Sequence, residues 1–225
     1  MPTAAPLVVL FDVDETLVHT GGAGARSWRT AFEELYGIPA DIGEHTSAGE
    51  TDPEVVGATF RGVLGRAPST DELGHLYVRY LLALAVEIWR SEQYRVLPGA
   101  ERTVAALGQA GVLLGLVSGA MEGAARTKLM PGNLNRFFVF GAYGSDSPDR
   151  EALTAMAIEK AARLHDGLTP DRVFVVGDTP HDIDAARGAG AVAVGVATGH
   201  YDTKALAEAG AAHVVGSLEE PFPGL

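Results

Sequence analysis

Six short apolar segments constrain the fold of this chain more than any other feature of its sequence. They lie at residues 7–11, 112–117, 137–140, 173–176, 192–196 and 213–215. Most are continuous apolar runs without polar alternation, which is typical of strands buried on both faces of a parallel sheet. Helical patterns alternate with them at residues 100–108, 122–128, 150–164, 181–188 and 204–209. This order predicts a doubly wound (Rossmann-like) α/β domain, whose ligands bind beyond the carboxyl ends of the strands.

One long segment interrupts this alternation. Three helical patterns, at residues 28–36, 53–64 and 71–89, follow one another with no strand predicted between them. We therefore predict a small helical domain at residues 18–95, inserted after the first strand. The rest of the chain, residues 1–17 and 96–225, then forms the α/β core.

Two acidic residues follow the first strand directly, in the sequence Asp12-Val13-Asp14-Glu15-Thr16. Positions i and i+2 of a strand share a face, so Asp12 and Asp14 are expected to point the same way. Burying a carboxylate costs free energy unless a metal, a cation or catalysis requires it. A turn that merely ends the strand is the alternative, because Asp and Thr are common in turns.

Polar residues also end two later strands. Ser118 and Gly119 follow the second apolar run, and Gly177-Asp178-Thr179-Pro180-His181-Asp182 continues the fourth. The carboxyl ends of parallel strands meet at one edge of a sheet, so a single crevice can collect all three motifs.

The three motifs in this order resemble those of the haloacid dehalogenase-like hydrolase superfamily, most closely its phosphoglycolate phosphatase-like branch. The resemblance covers nearly the whole chain, and the segment from Gly177 to Gly190 carries it most strongly. It implies that the inserted helical domain is a cap over the active site. It also implies that residues 48–52 form the cap loop that approaches the substrate.

The resemblance implies specific roles for the acidic residues. Asp12 is the expected nucleophile, which would form an aspartyl-phosphate. Asp14 is the expected general acid and base, and its backbone carbonyl is expected to bind the metal. The carboxylates of Asp12 and Asp178 complete the predicted magnesium site, because Mg²⁺ prefers oxygen ligands. Asp182 is expected either at the metal or just behind it; favourable electrostatics at a helix N-terminus is the alternative.

The phosphate-binding residues follow from the same resemblance. The hydroxyl of Ser118 and the amide of Gly119 are expected to bind phosphate at a strand-to-helix junction. Thr16 is expected to orient the first loop on the substrate side, with a helix or turn cap as the alternative. A simple helix cap is also the alternative for Ser118.

One position departs from the family pattern. The family usually has a lysine, often before proline, at the start of the helix that precedes the fourth strand. Here residues 145–150 are Ser-Asp-Ser-Pro-Asp-Arg, without lysine. We assign the phosphate-binding cation to Arg150, whose guanidinium can bind two phosphate oxygens at once. Lys128 and Lys160 are the rival candidates, and a surface salt bridge is the alternative for all three.

Composition limits the partners. The formal net charge of −12 argues against nucleic acid and anionic membranes, since both attract cationic surfaces. The absence of cysteine excludes disulfides, thiolate catalysis and cysteine-ligated zinc. The apolar run at the start of the chain is too short to span a membrane, so a cytoplasmic location is expected. Whether the protein is a monomer or a homodimer is left open.

The predicted activity is Mg²⁺-dependent hydrolysis of a small phosphomonoester. Dehalogenation of 2-haloacids is a rival on the same fold, but it needs neither a metal nor a second acid, and Asp14 and Asp178 argue against it. A sugar-phosphate mutase shares the nucleophile and metal, so the motifs do not exclude it. A catalytically silent binding module is the rival from another class, and the presence of Asp12 and Asp178 argues against that as well.

Overall fold

A six-stranded parallel sheet forms the centre of the computed structural model, which describes residues 7–224. In chain order the strands are β1 (Val8–Phe11), β2 (Val18–His19), β3 (Arg95–Val96), β4 (Leu113–Ser118), β5 (Phe140–Tyr143), β6 (Val173–Gly177), β7 (Val192–Val196) and β8 (His213–Val215). The main sheet has the order β5-β4-β1-β6-β7-β8, and all of its neighbours pair in parallel. The predicted doubly wound α/β fold is therefore confirmed.

Eight α-helices flank or extend the sheet. They are α1 (Ala23–Tyr36), α2 (Asp52–Leu64), α3 (Thr70–Arg90), α4 (Ala100–Gln109), α5 (Glu122–Leu129), α6 (Arg150–Ala162), α7 (Pro180–Gly188) and α8 (Thr203–Glu208) within the described residues 7–224. None of them is both long enough and apolar enough to cross a bilayer.

Both faces of the sheet are buried, as the continuous apolar runs predict. In β1, Val9 and Phe11 belong to one hydrophobic cluster, whereas Val8 and Leu10 belong to the other. The neighbouring strand β6 alternates in the same way. Full burial of such a side chain stabilises the fold by about 1.5–3 kcal/mol. The central pair of strands is thus a firm base for the loops that leave its carboxyl end.

The third predicted strand is displaced. The sequence predicts a strand at residues 137–140, but Leu134–Phe137 form a 3₁₀ turn and β5 begins only at Phe140. Phe138 is buried before the strand starts and packs edge-on against Phe11, with the ring centroids 6.0 Å apart. The apolar residues Phe137 and Phe138 thus belong to a turn and to the segment before the strand, so their apolar character does not indicate where β5 begins.

The segment between β1 and α4 is helical, as predicted, but a short ribbon accompanies it. Strands β2 and β3 pair in antiparallel fashion, with Val18 opposite Val96. Two residues per strand are too few to produce a recognisable pattern in the sequence. Within the helical part, the rings of Trp28 in α1 and Tyr80 in α3 stack 3.9 Å apart. The ribbon lies where the chain leaves and re-enters the α/β part.

Candidate active site

Three buried carboxylates meet at the carboxyl ends of β1 and β6. Asp12 follows β1, Asp178 follows β6, and Asp182 lies in the first turn of α7. The two strands are neighbours in the sheet, and the Asp12 amide donates a hydrogen bond to Val176 of β6. Carboxylate oxygens of the three acids lie within 4.8 Å of one another. Asp12, Asp178 and Asp182 are only 4%, 3% and 1% exposed, so water stabilises their charges little.

The start of α7 holds Asp182 in this cluster. Thr179 caps the helix by accepting a hydrogen bond from the Asp182 amide, and the Asp182 carboxylate in return accepts the Thr179 hydroxyl at 2.7 Å. A side chain at Gly177 would collide with this carboxylate, since an added Cβ would lie 2.4 Å from the Asp182 Cβ. Asp182 therefore both caps its helix and faces the other two acids.

Arg150 provides a positive charge beside the acidic cluster. It is the first residue of α6, where Asp149 caps the helix by accepting amide hydrogen bonds from Glu151 and Ala152. Its Nη1 atom lies 3.6 Å from Asp12 Oδ1 and donates a hydrogen bond to Asp182. The start of α6 thus places a cation 3.6 Å from Asp12, beside the acidic cluster.

The two rival lysines occupy different surroundings. Lys128, on α5, is buried and lies in the same cavity, with its Nζ atom 2.6 Å from Asp14 Oδ2. Lys160 instead donates a hydrogen bond to the Gly141 carbonyl at 2.7 Å and does not line the cavity. The cavity therefore contains a second cation, Lys128, on the side of Asp14.

The carboxylate cluster carries more negative charge than Arg150 balances. Burial raises the pKa of Asp12 above its ordinary value, and the nearby Asp182 adds to this rise while Arg150 opposes it. Burial, followed by repulsion from Asp182 and Asp12, raises the pKa of Asp178 as well. A divalent cation would remove this repulsion, and an all-oxygen donor set suits Mg²⁺. The residues present therefore fit the predicted metal.

The loop after β1 separates Asp14 from the carboxylate cluster. Glu15 adopts a left-handed backbone conformation with φ of 55°, which is uncommon for a residue other than glycine. The Asp14 carboxylate lies with Lys128 and is not part of the three-acid cluster. Thr16 is fully buried and donates a hydrogen bond to Asp178 at 3.4 Å. Thr16 does not line the cavity, contrary to its predicted place on the substrate side, so its hydroxyl supports Asp178 instead.

Ser118 and Gly119 form the third side of the site, at the end of β4. The Ser118 hydroxyl accepts a hydrogen bond from the Ala120 amide at 3.3 Å. Ser118 and Gly119 both line the cavity. Gly119 is closely surrounded, because an added Cβ would lie 3.1 Å from the Glu50 carbonyl and 3.2 Å from an Arg150 nitrogen. Glycine at this position therefore lets the neighbouring loop approach closely, and a Cβ would press against it.

That neighbouring loop belongs to the helical segment and covers the site. The Gly49 carbonyl accepts a hydrogen bond from Arg150 Nε at 3.0 Å, and the Asp52 amide donates one to the Gly119 carbonyl at 2.8 Å. The Asp52 carboxylate in turn accepts the Met121 amide at 2.8 Å. Residues 48–52, predicted to approach the substrate, are thus bound directly to the loops of the α/β part.

The cavity beneath this loop has a volume of about 240 Å³. Its lining joins the predicted residues Asp12, Asp14, Ser118, Gly119, Arg150 and Asp178 to residues of the helical segment that include Trp28, Asp52 and Tyr80. Arg26, on α1 of the helical segment, contacts Glu87 and the Gly21 carbonyl and does not line the cavity. Sequence reasoning did not single out Trp28 or Tyr80, because an aromatic residue in a helical pattern usually indicates core packing.

A model of the haloacid dehalogenase-like hydrolase family matches residues 7–190. The chain belongs to this family. A phosphoglycolate phosphatase from Pseudomonas savastanoi pv. phaseolicola is 27% identical to this hydrolase over 97% of the chain and 79% of the relative. The tyrosine-protein kinase PtkA of Mycobacterium tuberculosis is 26% identical over 89% of the chain and 66% of that relative.

The solved structures agree on the fold. The crystal structure of a predicted phosphoglycolate phosphatase from Haemophilus somnus superposes with a TM-score of 0.74 at 19% identity, covering 95% of each chain. At this identity the likeness establishes the architecture of the hydrolase and not its substrate.

Proposed function

We propose that this hydrolase removes the phosphoryl group from a small phosphomonoester in a Mg²⁺-dependent reaction with an aspartyl-phosphate intermediate. The observation that carries the proposal is the buried cluster of Asp12, Asp178 and Asp182 beside Arg150, of which Asp12, Asp178 and Arg150 line the 240 Å³ cavity. A cavity of this size is below the range of about 300–1,000 Å³ that is common for ligand pockets, which favours a small ester. The names of the phosphoglycolate phosphatase relatives point to the same class of substrate.

The first chemical step would use Asp12 as the nucleophile. An oxygen of its carboxylate attacks phosphorus, the bond from phosphorus to the ester oxygen breaks, and the alcohol leaves with a proton from Asp14. In the second step Asp14 accepts a proton from water, and that water attacks phosphorus. Inorganic phosphate is released and the Asp12 carboxylate is restored.

The carboxylates of Asp12 and Asp178, together with the Asp14 carbonyl, would hold Mg²⁺, with Asp182 beside them. When bound, the ion reduces the repulsion between the Asp12 carboxylate and the phosphate dianion. Arg150, the Ser118 hydroxyl and the Gly119 amide would bind the remaining phosphate oxygens. Arg150 suits this role because its guanidinium already faces Asp12, so its charge needs no rearrangement to meet the phosphate.

The helical segment, residues 18–95, would act as a cap that covers the substrate. The contacts of its Gly49 and Asp52 with Arg150 and Gly119 support this covering role, and residues 7–17 and 96–224 would be the described part of the core. Residues 1–6 and 225 of the proposed core lie outside the described residues. A closed cap excludes water other than the reacting molecule and strengthens the electrostatic contacts inside.

The rival activities differ in their products. Dehalogenation at carbon uses no metal, and the three-acid cluster disfavours it because the cluster needs a cation. A sugar-phosphate mutase would return the phosphoryl group to its substrate, and the geometry of Asp12 and Asp14 serves that reaction equally well. The release of inorganic phosphate separates hydrolysis from transfer to another molecule.

A screen of small phosphate esters tests the proposal. Purified protein, freed of metal with EDTA, is assayed for phosphate release with and without added Mg²⁺, with 2-chloropropionate as a dehalogenation control. We expect phosphate release only with Mg²⁺ and no release of chloride. Full activity in EDTA, or chloride release, would contradict the proposal. Isomerised sugar phosphate without release of phosphate would identify a mutase instead.

A further inference from the structure

The Lys128 end of the cavity, lined by the residues around that lysine, contains a buried group of charged and aromatic residues that neither attack phosphorus nor bind the phosphate in the proposed reaction. Asp52, Lys128, Trp28 and Tyr80 line this end, next to Asp14. An ester bound with its phosphate at Asp12 would extend its alcohol part into this group, because Asp14 is the proposed acid for the leaving oxygen. These residues therefore determine which alcohol the cavity accepts, an inference that rests on the proposed phosphatase function.

The charges at this end are unfavourable for a second anionic group. Lys128 is the only Lys or Arg side chain here among the described cavity residues, and the Asp14 carboxylate already lies 2.6 Å from it. Asp52 adds another buried carboxylate, which accepts the Met121 amide. Burial raises the pKa of Asp52 to about 6, with Lys128 opposing the rise, so this carboxyl group is mostly ionised at neutral pH.

Further acidic residues extend the same charge pattern. Glu15 and Glu50 also line the cavity, so they add to the negative charge that a carboxylate on the alcohol would meet there. Arg150 offers no compensation, because its guanidinium is bound to Asp182, Asp12 and the Gly49 carbonyl at the phosphate end. A like charge placed beside a desolvated carboxylate is strongly disfavoured.

The same residues suit a neutral alcohol with a free hydroxyl group. The carboxylates of Asp14 and Asp52 accept hydrogen bonds, and the Lys128 ammonium donates them, so a hydroxyl finds both kinds of partner. Trp28 and Tyr80, whose rings stack 3.9 Å apart, add apolar surface to the lining for the hydrocarbon part of the alcohol.

We propose that the Asp52–Lys128 end of the cavity selects phosphate esters of small, uncharged, hydroxyl-bearing alcohols and discriminates against esters that carry a carboxylate. Asp52 is the residue that sets this preference. Lys128 binds the hydroxyl oxygen while it balances the two carboxylates around it.

A matched pair of substrates tests this selection. 2-Hydroxyethyl phosphate and 2-phosphoglycolate have the same two-carbon alcohol part and differ only in whether the far end is a hydroxyl or a carboxylate. With Mg²⁺ present, we expect kcat/KM of the wild-type protein to be higher for 2-hydroxyethyl phosphate by about tenfold or more. p-Nitrophenyl phosphate serves as the reference for basic phosphatase activity.

The Asp52→Asn variant tests the residue. Its amide retains the shape of the side chain without the charge, so the preference for the hydroxyl ester should fall by about tenfold, mainly through a lower KM for 2-phosphoglycolate. Asp71→Asn is the matched control, because Asp71 is exposed at the start of α3 and its removal changes the net charge equally. The control should keep the wild-type ratio.

The outcomes separate this inference from the proposed function. If the wild-type protein hydrolyses p-nitrophenyl phosphate but prefers 2-phosphoglycolate, the inference is wrong and the phosphatase function stands. An Asp52→Asn variant that folds normally and keeps the wild-type ratio overturns the role of Asp52. If no ester releases phosphate in the presence of Mg²⁺, the proposed function fails and this inference fails with it. Even if the Asp52→Asn variant does not fold, the ratio of kcat/KM for the two esters in the wild-type protein tests the proposed substrate preference.

Discussion

The Lys128 ammonium and the Asp14 carboxylate form an ion pair of 2.6 Å between residues 114 positions apart in the sequence. Lys128 is buried on α5, whereas the Asp14 side chain is 42% exposed and lies within the cavity. Burial would lower the pKa of Lys128, but Asp14, Tyr80 and Asp52 outweigh this effect and raise it, so the ammonium stays charged. The pair gives the proposed acid a fixed orientation.

Replacing Lys128 should therefore impair the acid step more than the binding of phosphate. Loss of a charge-assisted hydrogen bond costs about 1.5–3 kcal/mol, or roughly 10- to 100-fold in rate. In Lys128→Met we expect kcat to fall by this amount for alkyl phosphates and by less for p-nitrophenyl phosphate, whose leaving group needs little protonation. Lys160→Met is the control, because that side chain lies outside the cavity. Equal losses for both substrates would contradict the assignment.

Asp14 itself should show the same dependence on the leaving group in a stronger form. Asp14→Asn removes the proton donor, and we expect a loss of about 10²- to 10⁴-fold for alkyl phosphates. Single-turnover measurements should show a much smaller loss for p-nitrophenyl phosphate in the first step. Binding of Mg²⁺, measured by calorimetry, should persist, since the proposed contact of Asp14 with the metal is a backbone carbonyl. A uniform loss across leaving groups would argue against the acid role.

The predicted cation at Arg150 is open to a graded test. Arg150→Ala should weaken inhibition by inorganic phosphate and lower kcat/KM, because the guanidinium faces Asp12 and contacts the Gly49 carbonyl of the cap loop. Arg150→Lys should recover only part of this loss, since lysine restores the charge but not the planar set of donors. Lys160→Ala is the control. If Arg150→Ala keeps wild-type kinetics while Lys128→Ala loses phosphate binding, the cation has been assigned to the wrong residue.

The free energy of unfolding should depend on both the pH and the presence of Mg²⁺. Folding raises the pKa of Asp178 from 3.8 to about 9, mainly through burial, so the metal-free folded state holds this proton more tightly than the unfolded state. Stability of the metal-free protein should therefore fall as pH rises through this range. Mg²⁺ should offset the loss at high pH, and at about 100 times its Kd it stabilises the fold by about 2.7 kcal/mol. That stabilisation raises Tm by roughly 5–10 °C for a chain of this size.

The Asp178→Asn variant provides the comparison for this test. Thermal unfolding of the metal-free variant should depend less on pH than that of the wild type, and Mg²⁺ should raise its Tm by less. Identical pH and Mg²⁺ responses in both proteins would show that Asp178 is not the group responsible.

Local patterns were sufficient to predict the sheet and the floor of the site. Asp12, Ser118 and Asp178 each end a continuous apolar run, and parallel pairing of those runs brings their carboxyl ends together. This prediction did not require knowing which distant residues contact one another, because the parallel pairing of the strands places their carboxyl ends at one edge of the sheet. The third strand was misplaced because Phe137 and Phe138 pack into the core from a turn ahead of β5.

Features that depend on tertiary contacts were not predictable from the sequence. Nothing near Lys128 in α5 indicates a partner at Asp14, and the chain positions of Asp52 and Met121 give no sign of their hydrogen bond. The burial of Thr16 behind Asp178 depends equally on how β1 and β6 are placed. The contact between Asp52 and Met121 depends on how the helical segment closes over the sheet, and the other two depend on packing within the α/β part; periodicity encodes neither.

The central claim is that Asp12 carries the phosphoryl group between the two chemical steps. A rapid acid quench of the wild-type protein with Mg²⁺ and a phosphate ester, followed by mass spectrometry of its peptides, tests this most directly. We expect the mass of one phosphoryl group on the peptide that contains Asp12, assigned to that residue by fragmentation, and no such mass in Asp12→Asn. Turnover of the ester without a phosphorylated peptide, or with the phosphoryl group on another residue, would contradict the account.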